Sequence, residues 1–168
     1  MDSEVVSPAA MYHYKFGPRG DMPPVTLTWY DGGLRPVRPT ELEDDDELGQ
    51  GGNGILFIGD KGKITCPGWA GAPKLIPFSR NETYQRPPKK LARSKGHHRD
   101  WLDACKGGPA ASANFEYGAK LTELVLLGLV ALRTGKKLEW DSANMKAKNA
   151  PKADQFIKEQ YRQGWEIP

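Results

Sequence analysis

The segment NFEYGAKLTELVLLGLVALRTG, residues 114–135, marks where the chain leaves a two-residue apolar period for a helical one. Asn114 offers a side-chain acceptor to free backbone N–H groups, and Gly135 tolerates the left-handed conformation that stops a helix. A helix is therefore predicted over residues 115–134. Its Leu121, Leu124, Val125, Leu127, Leu129, Val130 and Leu132 wrap well beyond one stripe. A helix apolar on so many sides is expected to be largely buried, between a sheet and another element.

Upstream, the pattern is that of strands. Residues 11–16 (MYHYKF) and 25–30 (VTLTWY) are aromatic and β-branched, with turn chemistry in GPRGD at 17–21, and are expected to pair antiparallel. Trp29 and Tyr30 fall on opposite faces of one strand, so one of them must look away from the core. ILFI at 55–58 and KITC at 63–66, joined by GDKG, read as a hairpin, and residues 75–78 are the best candidate for a further short strand. The Pro-rich, acidic residues 35–52 read as a surface loop; residues 1–10 and 35–53 are expected to be flexible, and 80–95 to form an exposed connector.

Downstream, HHRDWLDACK at 97–106 places Trp101, Leu102 and Cys105 on one helical face, closed by Gly107 and Gly108. KLEW at 137–140 suggests a short strand, Asp141 a cap for a turn reaching Asn144, and residues 153–161 a surface helix turning Phe156 and Tyr161 inward. Strands followed by helices define an α+β class: a mainly antiparallel open sheet with helices packed on one face, in one domain over residues 1–168.

Composition narrows the function. A net charge of +3 in 168 residues gives little reason to expect a polyanionic partner. The basic run at 86–99 lacks the interleaved aromatics that stack nucleic-acid bases, so no nucleic acid is expected. The best apolar run, 124–132, is far short of the roughly 20 residues a membrane span needs. Cys66 and Cys105 make neither a disulfide framework nor a zinc spacing, and read as small buried hydrophobes. Five tryptophans read mainly as packing residues, with an uncovered aromatic sheet face a candidate surface for self-association.

Motifs are few. GQGGNG at 49–54 matches G-x-G-x-x-G by letter, but an acidic loop precedes it and a β-type run follows, so no pyrophosphate site is expected. His97, His98 and Asp100 are the most chemically interesting cluster; adjacent histidines lie about 100° apart on a helix and do not share a ligand direction. One of them could hydrogen-bond a hydroxyl-rich ligand. His13 has no partner that sequence identifies, Asn81-Glu82-Thr83 is a glycosylation sequon by pattern, and no nucleophile motif or carboxylate pair is present.

Several segments together resemble the Gfo/Idh/MocA oxidoreductase family, in the bacterial type of its C-terminal domain. They are PPVTLTWYDGG (23–33), GILFIGDKGKITC (54–66), RSKGHHRDWLDACKGG (93–108), NFEYGAKLTELVLLGLVALRTGKKLEWD (114–141) and FIKEQYRQGW (156–165). The resemblance implies an α+β substrate domain that commonly forms the subunit interface of an enzyme moving hydride at a sugar or cyclitol carbon. It implies NAD or NADP for the full-length protein, held by an N-terminal Rossmann domain. This chain has no Rossmann unit, no Glu-Lys-Pro segment and no early Asp-x-x-x-His pair. It is therefore expected to bind no cofactor, to carry no catalytic residue, and to need a Rossmann domain in cis or in trans. His97, His98 and Arg19 are the candidate substrate contacts, metal ligands are not expected, and a homo-oligomer through the sheet face is. A cytoplasmic location is favoured, although full-length relatives can be exported. The alternative is a stand-alone carbohydrate-binding or assembly module that kept the fold without redox chemistry.

Overall fold

In the computed structural model, which describes residues 7–69, 71–158 and 161–166, the alternating segments pair as their periodicity requires. Strand β1 (Met11–Phe16) runs antiparallel to β2 (Val25–Tyr30), with Met11 opposite Tyr30 and Phe16 opposite Val25. Beyond them Arg19 and Met22 exchange both backbone hydrogen bonds, at 3.1 and 3.0 Å. Gly20, at the first central position of that turn, takes the positive φ of 54° it demands.

A second sheet comprises β3 (Gly54–Gly59), β4 (Gly62–Pro67) and β5 (Lys74–Ile76), in that order and antiparallel throughout. Gly59 lies opposite Gly62, leaving Asp60 and Lys61 as a two-residue loop. The third strand begins and ends earlier than residues 75–78, because Pro77 has no N–H to offer the ladder. The short helix α1 (Arg80–Thr83) follows. Residues 35–49 carry neither helix nor strand, yet Pro39 and Leu42 are buried. Arg38 donates to the carbonyls of Asp46 and Glu43, and Lys63 of β4 pairs with Glu41.

Chain contacts separate two compact units: Ser7–Leu91, just described, and the residues from Ala92 onward. In the latter, α2 (His97–Cys105) is followed by α3 (Phe115–Thr134). The α3 boundaries are those its caps dictate. Asn114 Oδ1 accepts from the Tyr117 N–H at 3.0 Å, and Gly135 at φ 66° donates to the carbonyl of Ala131 at 2.9 Å. Strand β6 (Trp140–Asp141) pairs with β7 (Lys146–Ala147), and Asp141 caps the 3-10 turn Ser142–Asn144. The fold is thus α+β, with its strands in small open antiparallel sheets.

Three expectations need correction. α3 is not largely buried: only Gly128 and Val130 are, while Leu121, Val125 and Leu126 are about half exposed, at 49, 47 and 51%. The cover comes from Ala147, Ala150 and Ala153 packing on Val130, with Leu138, Trp140, Phe156 and Ile157 around them, and this reaches only the C-terminal part of the helix. Cys105, at the end of α2, is exposed, whereas Cys66 in β4 is buried. Residues 153–161 do not form an α-helix with Tyr161 inward. A 3-10 turn spans Pro151–Phe156, Phe156 packs against the Val130 cluster, and Tyr161 is exposed; residues 159–160 lie outside the described residues. Pro151 at the start and the short Ala153 N–H to Ala150 carbonyl bond of 2.8 Å set the tighter winding.

Candidate functional site

The start of α2 holds the histidine pair. Gly96, at φ 108°, swings the chain into the helix and donates its N–H to Ser94 Oγ at 3.0 Å, with no side chain capping the first turn. His97 and His98 follow, both exposed. Asp100 accepts from the Ser112 N–H at 2.8 Å and from Ser112 Oγ at 2.5 Å, a clamp between α2 and the segment leading into α3. The Ser112 hydroxyl and then its N–H hold the Asp100 carboxyl below the usual aspartate range, and nearby His97 adds to this. Arg99 and Lys95 are engaged with Asp103, at 2.9 and 3.8 Å.

This arrangement has limited chemistry. Asp100 is occupied by Ser112, so it does not orient an imidazole as the acid member of a catalytic triad would. His97 and His98 retain ring nitrogens that can donate to or accept from hydroxyl groups. Arg19, on the β1–β2 turn, is exposed and makes no side-chain hydrogen bond or ion pair among the described residues. It lies in the unit Ser7–Leu91, the histidines in the other, so neither unit by itself brings the three together.

Other sequence signals resolve into structural roles. His13 Nδ1 lies 3.2 Å from Thr28 Oγ1, directly across the β1–β2 pair, which gives that histidine a cross-strand partner. The glycine-rich stretch makes a reverse turn in which Gln50 and Asn53 exchange backbone bonds at 2.7 and 3.0 Å. Gly51 and Gly52 at its centre have φ of 55° and 82°, the pair of positive values a type I′ turn requires, and β3 rather than a helix follows. Asn81 of the sequon is bound from both ends of its amide. Its Oδ1 accepts from the Leu75 N–H at 2.9 Å, and its Nδ2 donates to the carbonyls of Leu75 and Phe78 at 2.9 and 2.8 Å. A glycan on Nδ2 would break the tie between α1 and β5.

The helical unit also holds a cleft that the sequence reading passed over. It is a solvent-open depression of about 470 Å³ between the last turn of α3 and residues 149–156, lined by Arg133, Lys136, Lys152, Asn149, Gln155 and Phe156 among others. That Arg133, Lys136 and Lys152 line one surface is visible only once residues 149–156 are seen to fold back on α3.

Among the described residues no three His, Cys, Asp or Glu side chains gather to hold a metal ion, and no helix is long and apolar enough to cross a membrane. No protein-family model matches the chain, and no curated protein matches it significantly.

Proposed function

We propose that this chain is the substrate-side and assembly portion of an NAD(P)-dependent sugar or cyclitol oxidoreductase of the Gfo/Idh/MocA type, working with a Rossmann domain supplied in cis or in trans. Support comes first from the ordered series of segments that resemble that family. The structural observation that carries the reading is uncovered apolar surface. Large apolar side chains stand open to solvent: Leu121, Val125 and Leu126 on α3, Trp101 and Leu102 on α2, and Ile55, Phe57 and Ile58 on β3. Such surface suits a part that is covered by a further domain and a second subunit.

In this reading the nicotinamide and the hydride chemistry belong to the Rossmann partner. His97 and His98 in the helical unit, and separately Arg19 in the other, are the candidate donors to substrate hydroxyls, and no residue of this chain transfers the proton. The rival reading, a carbohydrate-binding module, draws on Trp69, Trp101 and Trp165, whose rings are mostly exposed.

Calorimetric titration with NAD and NADP in both redox states, alongside light scattering of the purified chain, separates the two. The oxidoreductase reading expects no saturable nucleotide binding, concentration-dependent self-association, and weaker association in a Leu126→Ser variant. Saturable nucleotide binding by this chain overturns it. So does a strictly monomeric chain that binds free hexoses, which is the outcome expected of the rival.

A further inference from the structure

We propose that the cleft between the end of α3 and residues 149–156 is a binding site for a small organic or inorganic anion, one presenting a phosphate or carboxylate group. The proposal stands apart from the oxidoreductase reading. Arg133 comes from the last turn of α3, Lys136 from just beyond its Gly135 cap, and Lys152 from the 3-10 turn opposite. Among the described residues, neither a carboxylate nor any other anionic side chain lines the cleft. None of the three cations belongs to an ion pair among the described residues; the nearby pair, Lys148 with Asp141, lies outside the cleft. Three positive charges lining one concave surface give it a positive field, and an anion is drawn to such a surface.

Hydrogen bonds tie down the backbone beneath the cleft. Asn149 Oδ1 accepts from the Glu139 N–H at 2.8 Å and its Nδ2 donates to the Lys137 carbonyl at 2.8 Å, tying the segment before Pro151 to the strand side. Gln155 Nε2 donates to the Lys152 carbonyl at 2.9 Å, which sets the backbone that carries the lysine. The Arg133 guanidinium lies over the Phe156 ring, 5.9 Å from its centre. A guanidinium held there by its face keeps the N–H groups at its edge for a planar or tetrahedral oxyanion. Phe156 in turn gives the cleft an apolar side against which the carbon skeleton of an organic anion can rest.

The test uses the full chain, with inorganic phosphate and benzoate titrated separately against chloride at constant ionic strength, followed by amide NMR shifts. The expected result is saturable shifts at residues 133–136 and 149–156 for at least one probe. An Arg133→Gln/Lys152→Gln variant weakens that binding by about tenfold or more, as loss of two charge-assisted hydrogen bonds requires. Lys146→Gln, outside the cleft, leaves it unchanged. Both cleft positions lie at the surface, and an unchanged far-UV spectrum verifies that the double variant is folded. Shifts that never saturate for either probe overturn the proposal, as does equal affinity in the double variant and the unaltered chain.

Discussion

Between Ser7 and Leu91, each strand finds its neighbour within a few residues, and polar side chains then reach across longer gaps to fasten what the ladders leave loose. Glu41 grips Lys63, and Asn81 closes on Leu75. From Ala92 onward the order is reversed. α3 satisfies its own backbone over twenty residues, and only afterwards does the chain fold back to cover its C-terminal part with Val130 at the centre. The comparison separates two problems that are often treated as one. Pairing N–H with C=O can be solved locally in either half, but covering apolar side chains needs mass from elsewhere, and the helical half receives it along only part of its length.

The largest effect that would sharpen this contrast is at Ile76, 3% exposed in β5. Ile76→Ala should cost about 3 kcal/mol in denaturant unfolding, while Leu126→Ala on the open side of α3 should cost under about 0.5 kcal/mol. Equal losses would break the comparison. Asn114→Ala should remove about 1 kcal/mol through the lost cap, read as reduced helicity and an earlier unfolding midpoint of α3.

A pH scan probes the fastening of α3 to β6. Ser142 and then the Trp140 indole, whose Nε1 donates at 2.5 Å, hold the Glu123 carboxyl below its ordinary value of 4.5. A carboxylate depressed in the folded state stabilises above its unfolded pKa and loses that contribution as pH falls through the folded one. Stability of the helical unit should therefore decline below about pH 4.5, and Glu123→Gln should flatten that part of the profile. The smallest effect is expected at Thr65, 3% exposed, whose hydroxyl has no hydrogen-bond partner among the described residues. Thr65→Val should leave the unfolding midpoint unchanged or raise it slightly, because a buried hydroxyl without a partner contributes only a desolvation cost.

Local signals made the boundaries of α3 legible in the sequence: Asn114 and Gly135 each act on backbone groups within a turn of themselves. The two-residue loop at Asp60 and Lys61 was legible for the same reason. What covers α3 was not, since a helix apolar on every side states a need for partners without saying where they are. The candidate site divides the same way. That His97 and His98 start a helix follows from neighbouring residues, but the Ser112 hydroxyl that claims Asp100 lies twelve residues on, and the Asn149 amide acts ten to twelve residues back. The turn Pro151–Phe156 replaced a predicted helix because a proline and one tight hydrogen bond outweighed an apolar spacing that suited either winding.

The unequal placement of the two cysteines has a practical side. Cys66 is enclosed within β4, while Cys105 stands open at the end of α2. A maleimide dye or spin label added to the native chain should therefore couple at one address, in the half where Leu121, Val125 and Leu126 are exposed. Docking of a second domain or subunit against that half could then be followed as a change in the label's emission or mobility, with no engineered residue.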